Sequence, residues 1–238
     1  MSLLDLRTVR KRRSSGGREV LVLENESMSI DAGELVAVWG LRGSGRTSLL
    51  RLVAGIDAPD AGTVCFDGRD LAEHGDRILG REIVYCQKAF RTAESQPAID
   101  EVLLGLLVNG ITGKEARTRA GEALERVGSG GLGRRRVCEL DGDERTRLAL
   151  ANGLALGPRL LLIDEPVAGV DLHQRDEILL LLRSLADEGI AVLMTVGDWT
   201  GVTGADQSFS IGDGELRGSG KRALQPVVDL SLRRQASG

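Results

Sequence analysis

Residues 40 to 47 read Gly-Leu-Arg-Gly-Ser-Gly-Arg-Thr. Glycines at this spacing let successive backbone N–H groups curl around a polyphosphate, provided that a strand enters the loop and a helix leaves it. Both conditions are met. Glu34-Leu35-Val36-Ala37-Val38-Trp39 is an apolar run with buried-strand character, and Ser48-Leu49-Leu50-Arg51-Leu52-Val53-Ala54 has helical composition. The helix N-terminus would favour the same negative charge as the loop. Gly40, Leu41, Arg42, Gly43, Ser44, Gly45, Arg46, Thr47 and Ser48 are therefore the candidate phosphate-binding residues. Arginine stands at position 46, where such loops normally carry lysine.

A second constellation lies at Arg159-Leu160-Leu161-Leu162-Ile163-Asp164-Glu165. Four consecutive apolar residues imply a strand buried on both faces, which delivers its terminal acids to the carboxyl edge of a sheet beside the phosphate loop. There Asp164 can hold Mg²⁺ through water while Thr47 supplies a hydroxyl. Glu165 is placed to orient or deprotonate an attacking water.

The elements that must position these groups follow from periodicity. Short strands are expected at 3–6, 20–23, 27–30, 63–66 and 83–86, the last closing on Gln87. Helical spacing runs from about Ala98 to Val127, and a glycine-dense break follows at 128–133. A helix from about Gly142 to Leu156, the strand at 160–163, a helix over 178–186 and a parallel-type strand at 191–196 complete the pattern. Strands alternating with helices predict an α/β fold, a mostly parallel sheet with helices on both faces. Gly218-Ser219-Gly220-Lys221 imitates a phosphate loop. Glu215 and Arg222 break its pattern and no strand-to-helix context surrounds it, so it reads as a surface loop.

With 238 residues and a formal charge of -4, the chain suits one sizeable domain without a global basic field for nucleic acid. The local run Arg10-Lys11-Arg12-Arg13 reads as a solvated turn between two strands, the alternative being a patch for nucleic acid or anionic lipid. Cys65, Cys86 and Cys138 lack metal-like spacing and read as reduced, packed thiols of a cytosolic protein. The N-terminus lacks a signal-peptide pattern and no apolar run is long enough to cross a bilayer. Only four of the 31 basic residues are lysine, so a general drift toward arginine is one explanation of Arg46.

Taken in order, these motifs resemble those of the ATP-binding subunits of ABC transporters, over nearly the whole chain. Gln87 is similar to the family's loop glutamine, which senses Mg²⁺ and the membrane partner. Leu140-Asp141-Gly142-Asp143-Glu144 stands where the signature L-S-G-G-Q/E belongs, Ala168-Gly169-Val170-Asp171 matches the D-loop, and Val196-Gly197-Asp198 occupies the switch-histidine segment. The run Asp100-Glu101-Val102-Leu103-Leu104-Gly105-Leu106-Leu107 with Glu115-Ala116 looks most like the lipoprotein-release and macrolide-export branch. The resemblance implies a P-loop NTPase (RecA-like) core, about 1–87 and 139–225, with an N-terminal antiparallel β subdomain and an inserted α-helical subdomain at about 88–138. A single ATP-binding domain then spans 1–225, and 226–238 form a weakly structured tail. It further implies ATP and Mg²⁺ as ligands, with Gln87 sharing the metal with Thr47 and Asp164. Glu165 and Gln87 are the catalytic pair, and Arg13, Leu140, Asp141, Gly142, Asp143, Asp171 and Gly197 join the loop as nucleotide-binding positions. The implied partners are a membrane permease and a second ATPase subunit, identical or different. The implied place is the cytoplasmic face of the plasma membrane, peripherally, with membrane contact only through the partner and no nucleic acid.

The departures from the family pattern gather around the terminal phosphate. Arginine is a planar fork where lysine is a compact ammonium. Gly197 lacks the donor that a histidine would offer. Arg13 stands where an aromatic usually stacks on adenine, a role that a guanidinium can share. Asp141 and Asp143 place carboxylates at a helix N-terminus, where Asp141 should cap the helix and both should repel an incoming phosphate. Two outcomes stay open on these residues: slow ATP hydrolysis driving an export-type permease, or a non-catalytic nucleotide-binding or scaffolding subunit.

Overall fold

The computed structural model describes residues 2–15, 18–86, 94–128 and 131–218. Gln87, the Ser219-to-Lys221 part of the decoy loop and the 226–238 tail lie outside the described residues. The elements run β1 (Leu4–Ser15), β2 (Arg18–Ile30), β3 (Leu35–Trp39), α1 (Arg46–Val53), β4 (Ala61–Phe66), β5 (Arg69–Asp70), α2 (Leu71–Ile78) and β6 (Ile83–Cys86). After these come α3 (Ala98–Val108), α4 (Gly113–Arg126), α5 (Gly142–Leu154), β7 (Leu160–Asp164), α6 (Leu172–Asp187), β8 (Ala191–Val196), β9 (Gln207–Gly212) and β10 (Glu215–Gly218).

Two sheets result. The first is antiparallel, in the order β2-β1-β4-β5; the second has the order β10-β9-β3-β8-β7-β6, with only β10 running against its neighbour. The central strands are buried on both faces, and their alternate residues feed two apolar clusters. Leu35, Ala37, Leu161, Ile163, Val192 and Met194 join the cluster that α3 to α6 complete. Val36, Val38, Leu160, Leu162 and Leu193 join the other, with α1 and the inner face of the antiparallel sheet. Helix α1 is thus clasped between two sheets, which fixes the loop that precedes it. The architecture is α/β with an antiparallel β subdomain and a helical insertion, as the sequence implies.

Several expectations need correction. The basic run at 10–13 is not a turn. It lies within β1, with Arg12 opposite Leu21 and Arg13 opposite Val20. The separate strands expected at 20–23 and 27–30 are one strand, bent where the β1–β2 register shifts and where Asn25 takes φ 60°. The helical stretch from 98 to 127 is two helices, divided near Gly110, whose φ of 81° a helix does not tolerate. The helix expected at 178 begins at Leu172, where Asp171 caps it. Helix α2 and the β9–β10 hairpin were not anticipated. Cys65 and Cys86 are packed as expected, but Cys138 is exposed.

One polar knot ties the edge of the parallel sheet to α6. Asp206 Oδ2 accepts from the Leu35 N–H at 2.8 Å and from Arg183 Nη1 at 2.7 Å. Removing that carboxylate leaves a partly buried guanidinium and the strand's first N–H without it. Asp206→Ala is therefore expected to lower the unfolding free energy by about 2 kcal/mol, read as a shift in urea midpoint at unchanged slope. An unshifted midpoint would remove the knot from the account. Burial pushes the Cys86 thiol up to about 12. At neutral pH a maleimide should label one thiol of the native chain rapidly, Cys138, and the other two only after denaturation. Rapid labelling of a second thiol would contradict the packing of Cys65 and Cys86.

Candidate functional site

Strand β3 ends at Trp39, and the chain turns through the glycine loop into α1. Gly40 must lack a side chain, since a Cβ there would lie 2.5 Å from the Ile211 carbonyl oxygen. Gly45 has φ 109°, and a Cβ on it would meet Val22 Cγ1 at 2.8 Å. Gly43, at φ 87°, supplies a further left-handed turn. Helix α1 has no side-chain cap and no acid in its first turn, so no side chain among the described residues caps its N-terminal N–H groups. The Ser44 hydroxyl and Arg46 Nη1 are buried without a hydrogen-bond partner among the described residues. Ser44 lines a separate hollow with Gly40 and Ile211. Arg46 faces the open space that the loop borders, and an unpaired buried donor there fits a bound polyanion.

That space is a cleft of 820 Å³ lined by Arg13, Val20, Val22, Arg42, Gly43, Gly45, Arg46, Thr47, Ser48, Arg51, Tyr85, Cys86, Asp164, Glu165 and Ala168. Four arginines face two carboxylates there, a balance suited to phosphates. Arg51 is already engaged, because Asp57 holds it through bonds of 2.8 and 2.9 Å. The same contact with Arg51 holds the Asp57 carboxyl below its ordinary value.

Asp164 is the most connected group in the cleft. Thr47 Oγ1 donates to its Oδ2 at 2.7 Å, Tyr85 OH reaches the same oxygen at 3.4 Å, and Thr195 Oγ1 donates to Oδ1. Thr47 and Asp164 thus lie together, as their proposed sharing of Mg²⁺ requires. No group of three or more His, Cys, Asp or Glu that could hold a metal exists among the described residues. A hard cation here would rest on Asp164, Thr47, water and the ligand's own oxygens, which is how Mg²⁺ is usually held with phosphates. Burial first, and then the charge of Asp164, drive the Tyr85 phenol well above its ordinary value, so it stays a neutral donor. Neither Thr195 nor Tyr85 was read from the sequence. Thr195 was findable as the polar residue in an otherwise apolar run, and it pairs with Asp164 across β7–β8.

Glu165 is held in the left-handed region, φ 49°, with its N–H donating to the Thr195 carbonyl at 3.1 Å and lying 3.2 Å from the Thr195 hydroxyl. A non-glycine residue in this conformation is uncommon and gathers at functional sites. Its carboxylate Oε1 is 2.6 Å from Arg46 Nη2. The Arg46 side chain is only 9% exposed and that of Glu165 is 42% exposed, so a buried cation is neutralised at the rim of the cleft. A Cβ placed on Gly197 would stand 3.7 Å from Arg46 Nη1. Arg46, Glu165 and Gly197 are brought together, in keeping with the sequence reading that gathered Arg46 and Gly197 around one phosphate, though the pairing of Arg46 with Glu165 was not foreseen.

The signature positions lie elsewhere. Leu140, Asp141, Gly142 and Asp143 do not line the cleft. Asp141 caps α5 as expected: its Oδ1 accepts from the Glu144 N–H at 2.9 Å, and Glu144 Oε2 accepts from the Asp141 N–H at 3.1 Å. Asp143 needs correction. It does not meet solvent as a second repelling charge but is 8% exposed and bonded to Arg147 Nε at 2.8 Å. Arg147 also donates to the Val127 carbonyl and to Glu177. Thr146 ties this helix to the Pro166 carbonyl just beyond Glu165 at 3.1 Å. Asp171 caps α6, accepting from the Gln174 N–H at 2.9 Å. Leu41, the loop's exposed apolar residue, points away from the core at 79% exposure.

Comparison with known proteins agrees with this geometry. The family model described as ABC transporter matches residues 23–168. The lipoprotein-releasing system ATP-binding protein LolD of Chromohalobacter salexigens is 38% identical over 185 residues, covering 76% of this chain and 78% of that protein. The macrolide export ATP-binding/permease protein MacB 1 of Yersinia pestis is 29% identical over 95% of this chain, which spans 36% of that longer protein. Among solved structures, the dimeric ATP-binding cassette MJ0796 bound to ADP and Pi matches with TM-score 0.81 at 25% identity, covering 93% of this chain and all of that one. An antiparallel subdomain, a phosphate loop and an acidic strand end, with these likenesses, place the chain in the ABC transporter family, as an ATP-binding subunit of the lipoprotein-release and macrolide-export branch.

Proposed function

We propose that the domain formed by residues 1–225 binds Mg-ATP in the 820 Å³ cleft and hydrolyses it slowly to drive a separate, export-type membrane permease. In this reading the loop from Gly40 to Ser48 takes the phosphates and Arg13 lies beside the base. Asp164, Thr47 and Gln87 hold Mg²⁺, which when bound neutralises charge on the phosphate oxygens. Tyr85 and Thr195 orient Asp164, and Glu165 orients the water that attacks the terminal phosphate. The observation that carries the reading is Glu165 itself, a carboxylate kept at the cleft rim in a costly backbone conformation. Slow turnover is expected because that carboxylate must serve water while bonded to Arg46.

A second subunit, identical or different, would bring its signature segment to the phosphates. Leu41, Leu172 and Trp199, beside the phosphate loop, the D-loop and Gly197, are 79%, 74% and 67% exposed. Exposed apolar groups so placed support a covered face there. The dimeric form of the MJ0796 cassette is in keeping with that reading. No helix among the described residues is long and apolar enough to cross a membrane. Peripheral attachment at the cytoplasmic face, through the permease, is the corresponding proposal.

The competing reading is a non-catalytic subunit that closes on ATP without hydrolysing it, and the 2.6 Å Arg46–Glu165 pair is what favours it. An ATPase assay on the chain assembled with its permease separates the two. The proposal expects a slow but measurable rate that falls at least about a hundredfold in Glu165→Gln, the lower end of the usual range for removing a general base. ATP binding with no hydrolysis above the Glu165→Gln background would establish the competing reading instead.

A further inference from the structure

The guanidinium of Arg46 has two ends in different states. Nη2 is engaged with Glu165 at 2.6 Å. Nη1 is buried with no partner among the described residues and lies 3.7 Å from where a Cβ on Gly197 would be. A buried charged donor left unpaired is costly, so the position calls for an acceptor that arrives with a ligand. The family's histidine is absent at position 197, and the space next to that backbone belongs to the arginine fork. A lysine at 46 could not reach both places, because its single ammonium offers one point of contact where the fork offers two in fixed directions.

We propose that Arg46 and Gly197 form one unit in which Arg46 supplies the terminal-phosphate donor that position 197 lacks, and through the same guanidinium positions Glu165. On ATP binding, Nη1 donates to an oxygen of the terminal phosphate while Nη2 stays on the Glu165 carboxylate. Arg46 is then a positioning residue that ties the base to the phosphate it must act beside. Gly197 is small because a larger side chain would compete for the space the fork uses. The inference rests on the reading of the cleft as an ATP site and adds to it a specific linkage of three residues.

The test is a double-mutant cycle read by calorimetric binding of ATP and ADP, each with Mg²⁺, to the full chain. Arg46→Lys should weaken ATP about tenfold, the scale of one charge-assisted hydrogen bond, and ADP by less than about threefold. Gly197→His alone should also weaken ATP, by crowding the fork. The double variant should recover ATP affinity to within about threefold of the parent. Thermal melts accompany each variant. If Arg46→Lys melts early, Arg46→Gln, which removes the charge from the buried position, should show the same selective loss of ATP. A parent that binds ATP, with variants whose losses simply multiply or fall equally on ATP and ADP, overturns the linkage alone. A parent that binds no ATP overturns the reading of the cleft and the linkage together.

Discussion

The parallel register of β3, β8 and β7 decides where the charged groups of the cleft lie. Trp39 pairs with Val196 and Thr195 with Asp164, so the phosphate loop, Gly197 and the Asp164-Glu165 step leave the sheet at one edge. A slip by one residue would turn Asp164 into the apolar layer and Ile163 toward the ligand. Burial on both faces holds that register, with Leu160 to Leu162 entirely inaccessible. Helix α1 is pinned between the two sheets, so the loop before it has little freedom to adjust. Chemistry at this edge depends on rigid elements that each contribute one or two groups.

Both carboxylates of the cleft, together with Arg46 and Arg51, are held by polar partners. Asp164 is surrounded by three hydroxyl groups and Glu165 by one guanidinium, while Arg51 is satisfied by Asp57. Such pairing makes a buried arginine tolerable at position 46, where its desolvation would otherwise be prohibitive. It also changes how the unusual residues of this chain relate. The arginine in the loop and the glycine at 197 occupy one neighbourhood. The signature departures belong to a different part of the molecule. Asp143 is paired with Arg147 within its own helix, while Asp141 and Glu144 form the capping box at that helix's outer end.

Much of this was legible in the sequence, for physical reasons that differ by segment. The phosphate loop and the acidic strand end were readable because glycine spacing and a continuous apolar run each have few structural solutions. The ends of β1 and β2 were not, because four consecutive basic residues look like solvent-exposed turn, whereas here they run through a ribbon with register shifts, Lys11 reaching the Ala58 carbonyl and Arg13 the cleft. The β9–β10 hairpin was missed although Asp213 and Gly214, both at positive φ, mark its turn. Ser208-Phe209-Ser210-Ile211 carries the alternation of a strand, but over only four residues. Side-chain partnerships were the least legible. That Arg46 reaches Glu165, and that Asp143 turns to Arg147 rather than outward, depends on tertiary placement that spacing alone does not encode.

The most direct measurement is a crystal structure of the chain with Mg²⁺ and a non-hydrolysable ATP analogue. The account predicts the Arg46 guanidinium within hydrogen-bonding distance of both a terminal-phosphate oxygen and the Glu165 carboxylate, packed over Gly197. A terminal phosphate held by other groups, with Arg46 turned away from it, would contradict the account.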